Sequence, residues 1–181
     1  MLRNESLWKL VQRCHEVMES AGIPHAVAGG VAVCLHGYQR DTTEIEWIIR
    51  REDFDRTRDF LKQSGLAWKP KLHEFHSKKD IPVRFFFAGE RAGNDDDVVH
   101  PDPGVPKAVT TKEGLPTLSL PRLIEVKLAC GTGSLRRTHK DFADVVELIA
   151  IKRLEPSFAR FLHKSVRKTF RELVARAVSD S

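Results

Sequence analysis

The sequence predicts a mixed domain of the α+β class, with a small mixed sheet flanked by helices and a helical C-terminal part. Two observations support this class. Short runs of β-branched and aromatic residues alternate with segments whose apolar residues recur at helical spacing. The chain has 181 residues, of which 41% are hydrophobic, and this is enough for a single packed core.

The first elements alternate between helix and strand. An N-terminal helix carries an apolar stripe from Leu7 to Met18 and ends near Gly22. A short helix follows the glycines at 29–30, and another begins near Asp53. Four segments have strand character, and a further strand or turn is expected between Val109 and Leu118. The four predicted strands are residues 24–28, 45–50, 72–75 and 83–87.

Helices are predicted for the rest of the chain. Pro121 favours a helix start, and Gly131 is expected to end that helix, with a linker to residue 134. A second helix is centred on 142–149, and a third covers 157–178. We therefore predict a domain at residues 1–155 and a basic helical segment at 156–181 packed on it.

Positive charge is concentrated at the C-terminal end. Residues 151–181 contain eight Lys and Arg against three Asp and Glu, a net charge of +5 that equals the net charge of the whole chain. Such charge is often only the solvated face of a helix. It also fits a surface for nucleic acid or for a protein partner.

Several classes of protein are not favoured by the sequence. No apolar run approaches the roughly 20 residues of a membrane span, and the first residues lack an apolar leader. The three cysteines are scattered through apolar segments and predict buried thiols. We expect a cytoplasmic protein without a membrane partner.

Two glycines lie between a predicted strand and a predicted helix. Gly29 and Gly30 would allow close approach of the backbone, and the N–H groups that start a helix can face an anion. On its own the pair is an ordinary turn.

Two carboxylates follow at the start of the next strand. Glu44 and Glu46 are two residues apart, so alternation along a strand places both on one face. Paired carboxylates can hold divalent ions against phosphate oxygens, although a strand with one solvated face has the same pattern.

The order of these motifs resembles the nucleotidyltransferase superfamily. The chain has the Gly29-Gly30 turn, then Arg40-Asp41-Thr42-Thr43-Glu44-Ile45-Glu46 where the superfamily has R-x-T-x-D-x-D. Segments 123–128 and 140–145 look like its L-I-x-x-K-L and K-D-x-x-D-V helices. The likeness is nearest to small bacterial members similar to aminoglycoside nucleotidyltransferases and abortive-infection toxin components.

The resemblance implies a nucleotidyltransferase fold and, in an active member, transfer of a nucleoside monophosphate from a nucleoside triphosphate with Mg²⁺. Glu44 and Glu46 would be the catalytic metal ligands. The remaining positions that it implies for nucleotide binding are Gly29, Gly30, Arg40, Thr43 and Lys127.

The chain departs from the superfamily at all three metal-binding aspartates. Glutamate replaces two of them and is longer by one C–C bond, ~1.5 Å. The third corresponds to Arg84, whose fixed positive charge would repel the ions. We predict that Arg84 pairs with Glu44 or Glu46 and neutralises the site.

Lys127 lies at the edge of an apolar helical stripe, where a charge needs a partner. It is expected to face a nucleotide phosphate, or to pair with Asp141 or Asp144 of the next helix. The two interpretations are compatible. The acidic run at 95–97 is a weaker source of carboxylates.

Three functions remain open from the sequence. The first is a catalytically degenerate nucleotidyltransferase-like protein that keeps nucleotide or partner binding. The second is an active metal-dependent enzyme acting on a hydroxyl of a small molecule, RNA or protein. The third is a binding module that uses the basic C-terminal segment.

Overall fold

The computed structural model describes residues 5–94, 97–131 and 135–179, which form a mixed sheet and the helices around it. The strands are β1 (His25–Ala28), β2 (Ile45–Ile49), β3 (Ala67–Lys69), β4 (Glu74–His76), β5 (Pro82–Phe87), β6 (Val109–Lys112) and β7 (Leu115–Leu118). Their order in the sheet is β3-β4-β5-β2-β1-β7-β6. The predicted α+β class is confirmed.

Helices cover the sheet. They are α1 (Glu5–Ser20), α2 (Gly29–Leu35), α3 (Phe54–Gln63), α4 (Leu120–Gly131), α5 (Leu135–Lys152) and α6 (Arg167–Ser179). The apolar stripe of α1 is buried as its spacing predicts. Gly22 follows α1 with a φ of 66°, a conformation that favours glycine. None of the described helices combines the length and apolarity needed to cross a membrane.

The centre of the sheet fixes the positions of the polar residues. β2 runs antiparallel to β1 and parallel to β5. Ile45, Trp47 and Ile49 are fully buried. Since side chains alternate along a strand, Glu46 lies on the opposite face of the sheet, beside its register partner Arg84.

Two parts of the sheet were not predicted. β3 is a three-residue edge strand without a recognisable pattern. The segment predicted as one strand or turn is the hairpin β6–β7, whose two-residue turn places Glu113 and Gly114 at φ values of 50° and 79°. The strand predicted at 72–75 is shifted to β4, because Leu72 lies in a turn and is 61% exposed.

The C-terminal segment is not the single helix that the sequence predicts. Two 3₁₀ turns, Pro156–Phe161 and Lys164–Val166, precede α6. Leu162 between them is extended and its side chain is buried, which breaks the helical path. Phe170 is also fully buried, and its ring packs against the ring of Phe158 with centroids 5.6 Å apart. The segment is therefore part of the same hydrophobic core as the sheet.

Replacing Phe170 by alanine is expected to lower the free energy of unfolding by about 3–5 kcal/mol, as for other buried aromatic side chains. Phe161→Ala is the matched control, because Phe161 is 47% exposed, and its cost should stay below about 1 kcal/mol. Denaturant unfolding measures both. Equal effects of the two changes would contradict the packing of this segment on the domain.

Candidate functional site

A cleft opens where β1 meets α2, between the sheet and helices α4 and α5. Its volume is about 90 Å³. The lining residues are Ala28, Gly29, Gly30, Arg40, Thr42, Glu44, Glu46, Phe86, His100, Leu123, Val126, Lys127, Cys130, Lys140 and Asp141. The cleft thus brings together most of the residues that the sequence singled out.

The glycine turn is shaped around Glu46. Gly29 has a φ of 57°, and a Cβ atom added to it would lie 1.5 Å from Oε2 of Glu46. A Cβ on Gly30 would meet Oγ1 of Thr42 at 2.7 Å and Nη2 of Arg40 at 2.9 Å. Position 29 therefore favours glycine through both its φ and the contact with Glu46, and a side chain at position 30 would displace Thr42 or Arg40.

Glu44 and Glu46 both line this cleft. Glu46 lies on β2, and Glu44 is the residue that immediately precedes the strand. Thr42 has the same parity along the extended chain and lines the cleft with them. Thr43 has the opposite parity, is exposed and is absent from the lining. Thr42, and not Thr43, is therefore the threonine of this segment that borders the cleft, and the role of Thr43 in nucleotide binding stays a prediction.

Arg84 links two carboxylates. Its Nη1 lies 2.8 Å from Oε2 of Glu44, and its Nε donates to Oε2 of Glu74 at 2.6 Å. The ion pair between Arg84 and one of the two cleft glutamates is thus present in the structure. Glu74 on β4 was not foreseen, because a single glutamate in a short strand gives no signal in the sequence.

Glu74 continues the network away from the cleft. Its other carboxylate oxygen is 2.7 Å from Nε2 of His76, whose Nδ1 is 2.6 Å from Asp80. Burial raises the pKa of Glu74, but the hydrogen bonds from Arg84 and His76 outweigh it and leave the pKa lowered. Hydrogen bonds to Asp80 and then Glu74 raise the pKa of His76. Glu74 is therefore an ionised carboxylate that holds Arg84 in place.

Glu46 is left without a cation of its own. Within the described chain it has neither a hydrogen bond nor an ion pair, because Arg84 turns to Glu44 and Glu74. Burial and then the charge of Glu44 raise the pKa of Glu46, with a smaller opposing effect from Lys127. The protein thus keeps an unpaired carboxylate next to the Gly29 backbone.

Lys127 forms the second charged cluster of the cleft. Its Nζ lies 2.8 Å from Asp141 and 2.7 Å from Asp144, and its side chain is only 6% exposed. Arg40 contacts the same Asp144 at 2.7 Å. Burial lowers the pKa of Lys127, but Asp141 and Asp144 outweigh it and leave the pKa raised. The sequence predicts pairing with Asp141 or Asp144, and Lys127 contacts both; it also borders the cleft.

His100 is a cleft residue that sequence reasoning missed. It is 4% exposed, packs on Phe86 with ring centroids 5.0 Å apart, and has no described partner for Nδ1. Burial lowers its pKa to about 4, so the ring is neutral at physiological pH. It comes from the long loop before β6, where no periodicity indicates which side chain turns inward.

The acidic run was the weaker carboxylate candidate. Asp97 is exposed and pairs with Arg91 at 3.6 Å, and it does not line the cleft. Asp95 and Asp96 lie outside the described residues, as does most of the linker predicted after Gly131.

Replacing Glu46 by glutamine is expected to stabilise the protein at neutral pH, because it keeps the shape of the side chain and removes the charge that burial and Glu44 disfavour. Since the pKa of Glu46 is raised, folding favours its protonated form. Its contribution to stability is complete below the ordinary value of 4.5 and is lost as the pH rises through the raised pKa. Denaturant unfolding across this pH range should show the two proteins converging at acid pH.

Glu44→Gln is the matched control for this change. It removes one partner of the pair with Arg84 and is expected to destabilise the protein at neutral pH. If Glu46→Gln were also destabilising, Glu46 would have a favourable partner, contrary to the geometry described above.

Comparisons with known proteins agree on the fold. No protein-family model and no curated protein matches the sequence. Among solved structures, the chain is similar to a nucleotidyltransferase candidate from H. pylori, with a TM-score of 0.57 and 18% identity over 99% of this chain and 82% of that one. A second such candidate, from Thermotoga maritima, has a TM-score of 0.54 and 16% identity over 77% and 90% of the two chains.

The third similar structure is ANT(2")-Ia in complex with adenylyl-2"-tobramycin. Its TM-score is 0.56 and its identity 12%, over 92% of this chain and 98% of that one. At such identities the similarity concerns the backbone and not the chemistry. The chain therefore has the nucleotidyltransferase fold.

Proposed function

We propose that this protein is a catalytically degenerate member of the nucleotidyltransferase fold. The observation that carries the proposal is the guanidinium of Arg84, 2.8 Å from Glu44 and in register beside Glu46. A group that is always protonated lies where a third metal-binding carboxylate is expected from the superfamily motif.

The residues present do not fit a pair of Mg²⁺ ions. Two-metal sites hold their ions about 3.5–4 Å apart between several shared carboxylates. Here Glu44 is paired with Arg84, and Asp141 is paired with Lys127. Glu46 is the one cleft carboxylate in the described chain without such a cation, and one free carboxylate supplies too few ligands to hold two ions.

Nucleotide binding in this cleft would require it to open. A volume of about 90 Å³ is below the ~300–1,000 Å³ of typical small-molecule sites. The charges of Lys127 and Arg40 are offset by Asp141 and Asp144, which leaves Lys140 as the exposed cation of the lining. We infer that any nucleotide binding is weak and does not depend on Mg²⁺.

A second candidate function is metal-dependent nucleotidyl transfer, and Glu46 favours it. A carboxylate with a raised pKa and no partner is typical of a functional site, because a purely structural role would not keep it. In this alternative Arg84 would have to move away from Glu44 before Glu44 and Glu46 could bind an ion.

A third candidate is nucleic-acid binding by the C-terminal segment. Lys168 and Arg171 are exposed and lie three residues apart on α6, with Lys164 exposed one turn earlier, whereas Arg167 turns inward and donates to the carbonyl of Leu162. Most of the basic side chains of this segment thus point outward. The surface that α6 itself offers to a nucleic acid is short, because Lys164 lies in the 3₁₀ turn before the helix begins.

The charge reversal Lys168→Glu with Arg171→Glu tests this third candidate. If the segment binds RNA, the double variant should bind a single-stranded RNA more weakly and with a smaller dependence on salt. Fluorescence anisotropy at several salt concentrations measures this. Equal binding by both proteins would exclude the segment as the interface.

Calorimetry with Mg²⁺ and Mn²⁺, alongside a transfer assay with labelled nucleoside triphosphates, tests the main proposal. The natural protein is expected to show no saturable Mg²⁺ binding at low millimolar concentrations and no transfer. Arg84→Asp should gain metal binding, because it removes the guanidinium and adds a carboxylate beside Glu46. Its stability should fall because the new aspartate then lies close to Glu44, Glu46 and Glu74, and the guanidinium that pairs with two of them is lost.

Arg171→Asp is the control for the change in net charge, since Arg171 is exposed and distant in sequence from the cleft. It should bind metal no better than the natural protein. Tight Mg²⁺ binding and robust transfer by the natural protein would overturn the proposal in favour of the active enzyme.

A further inference from the structure

A cluster of three metal-ligating side chains lies on the face of the sheet opposite the cleft. His15 and Glu19 are one turn apart on α1, and His25 is the first residue of β1. One ligand atom from each lies within 4.8 Å of those of the other two. His25 is the register partner of Ile49, and its side chain lies on the same face of the sheet as that of Trp47. Glu46 lies on the other face, which borders the cleft.

The hydrogen bonds fix the tautomer of His25. Its Nδ1 is 2.6 Å from the backbone carbonyl of Ile23, and a carbonyl only accepts, so Nδ1 carries the proton. The lone pair is then on Nε2, which faces Nδ1 of His15 at 2.8 Å. A backbone carbonyl that orients a histidine in this way is the usual support of a metal-binding imidazole.

The surroundings hold the cluster in place. His25 is 4% exposed, and its ring contacts Trp47 edge-on with centroids 5.4 Å apart. His15 is half-buried and Glu19 is exposed. His25 is thus held rigidly in the core, and His15 is partly held by packing on α1. Glu19 is free to adjust its side chain from the solvent side.

We propose that His15, Glu19 and His25 form a Zn²⁺ site. Two imidazole nitrogens and one carboxylate are a ligand set that zinc takes with three protein ligands and an open fourth position. The nitrogen ligands disfavour Mg²⁺ and Ca²⁺, which prefer oxygen. The fourth position faces solvent beside Glu19 and would be filled by water.

Binding requires only a small rearrangement. At 2.8 Å the two ring nitrogens are hydrogen-bonded, so His15 must give up its proton at Nδ1 and move slightly for both nitrogens to lie at the ~2.0–2.1 Å of a Zn–N bond. Without metal the hydrogen bond keeps the rings together. With metal the end of α1 would be tied to the start of β1, which stabilises the folded state.

Calorimetric titration of the metal-free, full-length protein with Zn²⁺ tests the proposal. We expect one Zn²⁺ per chain and a higher thermal midpoint once it is bound. His15→Ala and Glu19→Gln alter residues that are not fully buried, so both variants should fold. Each is expected to weaken binding by at least about tenfold.

Two controls separate this site from other sources of zinc binding. His139→Ala removes an exposed histidine of α5 and should leave the affinity unchanged. Glu46→Gln tests the cleft and should also leave the affinity unchanged. Absence of saturable Zn²⁺ binding, or binding that is equal in the natural protein and in both His15→Ala and Glu19→Gln, would overturn the proposal.

Discussion

The guanidinium of Arg84 joins three strands of the sheet through charge. It donates from β5 to Glu74 on β4 and contacts Glu44, the residue that immediately precedes β2. Glu74 is held in turn by His76, and this fixes the carboxylate that keeps Arg84 turned away from Glu46. The positive charge of Arg84 therefore neutralises Glu44, whereas Glu46 remains an unpaired carboxylate in the cleft.

Glu46 and Gly29 form the second constraint on the cleft. The carboxylate occupies the space that any side chain at position 29 would need, so the glycine turn and the glutamate depend on each other. On the other side of the cleft, Lys127 and Arg40 share Asp144. Most of the charged side chains of the cleft are thus paired with one another, and this pairing supports the proposal of a catalytically degenerate protein.

The sequence was most informative where its patterns are periodic. The apolar stripe of α1 follows from its helical spacing, and the strand around Trp47 follows from its run of apolar residues. The parity of Glu44 and Glu46 predicts that both lie on one face, and both line the cleft. Thr42 borders the cleft and Thr43 does not, because side chains alternate along an extended segment and Thr42 shares the parity of the glutamates.

Other features depend on contacts between distant parts of the chain. Glu74 and His100 acquire their roles from tertiary packing, and neither has a local pattern to indicate it. The short strands β3, β6 and β7 are too brief for periodicity to be recognised. The break at Leu162 is set by burial of its side chain, which outweighs the helical pattern around it.

Carbon-detected NMR of the glutamate side chains, with Mg²⁺ added at neutral pH, is the most direct test of the role of Arg84. The carboxyl signals of Glu44 and Glu46 are expected to stay unchanged at millimolar Mg²⁺, because Arg84 keeps its contact with Glu44. A joint, saturating shift of both signals would contradict it, since the two carboxylates would then share an ion.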